Sequence, residues 1–233
     1  MQRYNMPNET EVRMKKEQYA RCNDMGNRLQ LLFVLKIITT VLNILFIGFV
    51  TLSSLATGAA GSALQDVVTS AKVTVLAFEL ITLVLGIVYG VLTMRMGKYM
   101  SEFTGAGVFT IIDALITFAY DFTGANILSL VAGAFGILYV MRFSDGMKIS
   151  LRGFSPSFFV DSGLALDWDK FKSINIMMLI VMGICLIVAL IPVVKLIIIP
   201  VALIILVGAF ILEIWELILM YKSSVSMKNY IPV

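Results

Sequence analysis

Histidine is absent from this chain of 233 residues. Serine–histidine catalytic pairs, HExxH zinc sites, haem ligation by imidazole and histidine proton relays are therefore excluded within it. Charge is scarce too: 14% of residues are charged and 59% are hydrophobic, against roughly 25% and 45–50% in soluble domains. A water-soluble core of this size cannot hide such an excess of apolar surface. The two cysteines, Cys22 and Cys185, sit in unlike settings, one in a polar segment and one inside an apolar run, which argues against a bridge. No basic block with interleaved aromatics occurs, and the formal charge is only +3, so nucleic acid is not an expected partner.

What is present is apolar sequence in long blocks, with a mean hydropathy of +0.94. Blocks of this kind mark helices whose outer solvent is lipid. The pattern predicts an all-α integral membrane protein, a bundle of six transmembrane helices over about 29–55, 73–94, 106–120, 125–141, 174–192 and 197–221. Residues 1–28 are polar and predict a short amphipathic cytoplasmic helix, supported by the i, i+4 pairs Glu9/Arg13 and Glu11/Lys15. Asp121-Phe-Thr-Gly124 reads as a tight turn, 142–173 as a long polar cytoplasmic loop, and 222–233 as a cytoplasmic tail. The last apolar block would be about 72 Å long as one helix, so it must fold back; Pro192, Lys195 and Pro200 mark the place.

Basic residues set the orientation. They crowd the N-terminal segment, the loop with Arg95 and Lys98, the 142–173 stretch and the tail, whereas the alternate loops hold only Lys72 and Lys195. By the positive-inside rule both termini are cytoplasmic, in a plasma-membrane protein. A faint echo links Gly86-Ile-Val-Tyr89 to Gly136-Ile-Leu-Tyr139; aromatic anchors and cations at each cytoplasmic exit account for it.

Residues three, four and seven apart share a helix face. Lys36, Thr39, Thr40 and Asn43 form one such stripe; Glu79, Thr82, Gly86, Gly90, Thr93 and Gly97 a second; Ala106, Thr110, Asp113, Thr117 and Tyr120 a third; Ala202, Ala209, Glu213 and Glu216 a fourth. Small residues at Gly86, Gly90, Gly133 and Gly136 are expected to serve helix packing. The charges are another matter, since each costs roughly 2.5–3.5 kcal/mol at a helix centre. Lys36, Asp113 and Glu213 are expected at one level, about 10–12 Å from the cytoplasmic ends. With Glu79 and Glu216 they set one lysine against four acids, leaving room for a cation, a proton or a partner subunit.

No enzyme signature survives inspection. Tyr120-Asp121 lacks the second half of an aspartyl protease motif, and Asp167-Trp168-Asp169 lacks the glycine and glutamate of a calcium loop. Glu213 and Glu216 form a carboxylate pair without a histidine or a second motif. The chain is read as a non-enzyme without cofactor or metal: a small transporter, channel or transporter subunit for a cation, proton-coupled solute or cationic molecule. The path is assigned to Lys36, Asn43, Glu79, Asp113, Glu213 and Glu216. The alternative is a scaffold, assembly, immunity or sensor protein whose buried charges are structural. Expected partners are the lipid bilayer and a second copy or partner subunit. The 142–173 aromatics (Phe154, Phe158, Phe159, Trp168, Phe171) are expected on the inner membrane surface or against a partner.

Overall fold

The computed structural model describes residues 9–60, 65–153, 160–189 and 195–230. Among the described residues there are six α-helices and no strand: α1 (Glu9–Ala60), α2 (Gln65–Met96), α3 (Ser101–Thr123), α4 (Asn126–Arg152), α5 (Ser162–Ala189) and α6 (Lys195–Lys228). α1 to α4 are each long and apolar enough to cross a bilayer. Among the described residues the chain is all-helical, with four helices that could span a membrane, which fits a membrane protein.

Several boundaries differ from those the apolar runs suggest, for one reason: loss of apolarity ends the lipid contact, not the helix. The polar segment after Glu9 and the first apolar run are one helix of 52 residues, about 78 Å long at 1.5 Å per residue. An i, i+4 ion pair, Arg13 Nε to Glu17 Oε1 at 3.3 Å, lies in its opening part. Most of 142–173 is helix rather than loop. α4 runs on to Arg152 and α5 starts at Ser162; their polar turns pair across the helices through Lys148–Asp169 at 2.6 Å and Lys172–Asp145 at 2.8 Å. α6 passes through Pro200 and ends at Lys228, taking in part of the expected tail. Pro192 and the aromatics Phe154, Phe158 and Phe159 lie outside the described residues.

Two helix junctions show how the turns are made. Gly124 has φ 65°, and its N–H donates to the Tyr120 carbonyl at 2.7 Å; a side-chain-free residue closes α3 in the left-handed conformation. Asp161 caps α5, its carboxylate accepting from the Leu164 N–H at 3.0 Å.

The chain divides into two compact units. One comprises residues 1–31, 98–101 and 144–233. Its interior includes Met25, Leu29, Met147, Leu151, Trp168, Phe171, Leu219 and Met220, all buried. The Trp168 indole N–H donates to Ser223 Oγ at 2.9 Å, and Phe171 meets Trp168 and Trp215 edge-on at 5.6 and 5.7 Å. Trp168 and Phe171 are therefore core residues of this unit rather than a membrane-surface patch. Asp24 takes Lys98 at 2.8 Å, Arg28 at 3.3 Å and the Tyr99 hydroxyl.

The second unit comprises residues 32–97 and 102–143, that is, the later part of α1, α2, nearly all of α3 and the first part of α4. Its outward faces are apolar: Val34, Ile37, Ile38, Val41, Ile44 and Leu45 on α1, and Leu76, Leu80, Ile81, Val84 and Val88 on α2, are all exposed. Lys36, Thr39, Glu79, Thr82, Thr110 and Asp113, by contrast, are half-buried. That inversion of the soluble pattern suits helices surrounded by hydrocarbon. α2 and α3 pack through glycine: a Cβ on Gly86 would lie 2.8 Å from the Ala114 methyl, and one on Gly90 2.8 Å from the Gly107 carbonyl oxygen.

Candidate functional site

The second unit carries a partly open cavity of about 450 Å³. α1 contributes Lys36, Thr39, Asn43 and Phe46; α2 contributes Phe78, Glu79, Thr82, Leu83, Gly86 and Tyr89. α3 supplies Thr110, Asp113, Ala114, Thr117, Phe118 and Asp121, and α4 supplies Tyr139. The lining of α3 runs from Thr110 to Asp121, about 17 Å of helix at 1.5 Å per residue.

The two ends differ. Tyr89 and Tyr139 stand at one of them, with a hydroxyl–hydroxyl hydrogen bond of 2.7 Å and rings meeting edge-on at 6.1 Å. Lys36 lies toward this end, close enough to Asp113 for the two charges to interact. At the other end stand Glu79 and Asp121, close enough for their like charges to interact. Phe46 and Phe78 pack together there at 5.7 Å, and Phe118 joins them in the wall.

The threonines are arranged so that oxygen lone pairs remain for the cavity. Thr39 donates to the Leu35 carbonyl at 3.0 Å, Thr82 to those of Phe78 and Glu79 at 3.0 and 2.9 Å, and Thr110 to that of Ala106 at 3.0 Å. Each hydroxyl proton is spent on its own helix, as is usual for threonine within a span. What the side chain can still offer is an acceptor. Counting charges among the described lining residues, one lysine stands against three carboxylates, a formal −2 when all are ionised.

Of the residues singled out from the sequence, Lys36, Asn43, Glu79 and Asp113 line this one cavity. Glu213 and Glu216 belong to the other unit, where Glu216 is buried. Gly86 and Gly90 are at close helix contacts, whereas a Cβ on Gly133 or Gly136 would meet nothing within 4 Å; in α4 those glycines make no tight approach among the described residues. Three kinds of lining residue escaped sequence reasoning. Asp121-Phe-Thr-Gly124 has the composition of a turn, but α3 continues to Thr123 and Asp121 lines the cavity. Tyr89 and Tyr139 read as headgroup anchors, yet both are buried and bonded to each other. Phe46, Phe78 and Phe118 look like any lipid-facing residue in a hydrophobic run. A signal for Asp121 does exist: it follows Asp113 and Thr117 at spacings of eight and four.

Compared with protein-family models, curated proteins and solved structures, the chain matches none.

Proposed function

We propose that this is a six-span plasma-membrane protein with both termini in the cytoplasm, whose cavity binds a small organic cation and passes it across the bilayer. α5 and α6, of 28 and 34 residues, carry the fifth and sixth apolar blocks. Arg95 in the last turn of α2 and Arg152 in that of α4 support placing those ends in the cytoplasm. On this topology the Glu79 and Asp121 end of the cavity is the outer one and the tyrosine end the inner one.

The observation that carries the reading is the cavity wall: three carboxylates against one lysine, in a chamber that adds threonine acceptors and aromatic faces. Uncompensated acids among lipid-embedded helices are costly and mark ion or solute pathways. An ammonium ion suits them better than a divalent metal. Its charge is diffuse, and the faces of Phe46, Phe78 and Phe118 can stabilise it by cation–π attraction; they cannot replace the oxygen shell that a hard divalent ion demands.

The test is calorimetric titration of the purified protein in detergent with tetramethylammonium. Saturable binding that weakens at least tenfold in Asp113→Asn and in Glu79→Gln supports the reading; no saturable binding by the intact protein contradicts it.

A second reading has its own support. Lys36 and Asp113 share the cavity and interact electrostatically, which also fits a structural pair that fixes helix register in a non-transporting scaffold or sensor.

A further inference from the structure

We infer that the Tyr89–Tyr139 pair is the inner closure of the cavity, and that α4 is the helix that moves to open it. The inference rests on the reading of the cavity as a passage.

The closure is physical. Tyr89 and Tyr139 are 6% and 8% exposed, and both stand in the cavity wall. Behind them the unit is packed with apolar side chains. The Phe143 ring lies 5.4 Å from that of Tyr139, and Phe103 meets Phe143 edge-on at 5.5 Å. Met96, Phe103 and Ala106 are fully buried. Thr93, buried on α2 at this depth, donates its proton to the Tyr89 carbonyl at 2.9 Å, so that only its oxygen lone pairs remain. A solute entering from the Glu79 end meets, behind the tyrosines, a layer of buried aromatic and apolar side chains that replaces little of its water.

The moving part follows from unequal packing. α2 and α3 touch backbone to backbone at Gly90 and Gly107, and Gly86 meets the Ala114 side chain. Separating them would open a void along the whole contact, which close-packed helices resist. α4 makes no such approach at Gly133 or Gly136. At the level of the closure it meets α2 through an edge-on ring contact and one hydrogen bond between side chains. A tilt of the first part of α4 would part these side-chain contacts, and with them the ring contacts of Phe135 with Phe109 and of Phe143 with Phe103 on α3, a discrete two-state arrangement of the sort that gates use.

The experiment places a single reporter cysteine at Thr117, within the cavity, in a protein carrying Cys22→Ala and Cys185→Ala. Vesicles of both orientations are treated with a membrane-impermeant maleimide. The expected result is labelling from the Glu79 and Asp121 face only. Tyr139→Phe, which removes one hydroxyl and keeps the ring, should raise labelling from the opposite face several-fold, and Tyr139→Ala at least tenfold. Equal labelling from both faces in the parent protein overturns the closure. So does a Tyr139→Phe protein that elutes as the parent does on size exclusion and still labels from one face. Spin labels at the exposed positions Ile81, Leu115 and Leu130 test which helix moves. Added tetramethylammonium should change the Ile81–Leu130 distance and leave Ile81–Leu115 unchanged; the converse removes α4 from the proposal. Tetramethylammonium titration keeps the two ideas apart, since one-sided labelling without binding refutes the cation site and leaves the closure standing.

Discussion

Gly90 and Gly107 hold the backbones of α2 and α3 in direct contact: a Cβ on Gly90 would lie 2.8 Å from the Gly107 carbonyl oxygen, and one on Gly107 would run into the Gly90 carbonyl. Backbone atoms cannot swing aside as a side-chain tip can. Gly107→Ala should therefore cost about 1–3 kcal/mol, the usual penalty for overpacking. Gly136→Ala meets open space and should be neutral or stabilise by up to about 1 kcal/mol through helix propensity. The fraction of protein still monodisperse on size exclusion after graded heating ranks the two against the parent.

In the other unit, the buried Trp168 indole donates to Ser223 Oγ at 2.9 Å. Ser223→Ala removes that acceptor in a place water does not reach and should destabilise by about 1–3 kcal/mol. Trp168→Phe removes donor and ring volume together and should cost at least as much. Heated size exclusion reads both; a Ser223→Ala protein as stable as the parent would mean the indole finds another acceptor at no cost.

Asp169 gives the same unit a pH dependence with a definite sign. The Lys148 ammonium at 2.6 Å holds its carboxyl below the usual carboxylate range. A depressed folded-state pKa adds stability that is present above the unfolded value, about 3.9, and is lost as pH falls through the folded one. The pair is part-exposed, so solvent screening limits it to less than about 1 kcal/mol. The parent protein should lose this increment only below about pH 4, while Asp169→Asn should lack it at neutral pH and lose less on acidification. Thermal stability compared at pH 7 and pH 3 decides.

Lys36 and Asp113 separate the passage reading from the structural one. Lys36→Asp paired with Asp113→Lys keeps an opposite-charge pair but moves the cation to α3. If the pair only fixes register, the exchange restores both folding and every property of the parent. On the passage reading the exchanged protein folds yet binds tetramethylammonium at least tenfold more weakly, because the positive charge now stands in the acidic wall. Titration alongside size exclusion distinguishes the outcomes.

Much of the cavity can be read from helical spacing alone. Lys36, Thr39 and Asn43, then Glu79, Thr82 and Gly86, then Thr110, Asp113 and Thr117 recur at three and four residues, and each set lines one wall. Spacing within a helix does not say how helices pair, which is why Glu213 and Glu216 looked equivalent to Asp113 although they lie in the other unit. Composition also misplaced helix ends. The charges of Asp145, Lys148, Asp169 and Lys172 suggest a loop, but they belong to two helices joined by cross-helix ion pairs. Tyr89 and Tyr139 illustrate the hardest case: a tyrosine near the end of a span suits a headgroup anchor equally well until its hydroxyl partner is seen.

The most direct measurement is uptake of tetramethylammonium into proteoliposomes under an inside-negative potential, with the Glu79→Gln/Asp121→Asn double variant in parallel. The account predicts uptake well above protein-free vesicles for the intact protein and at least tenfold slower uptake for the double variant. Uptake by the intact protein no faster than protein-free vesicles, or undiminished in the variant, would contradict it.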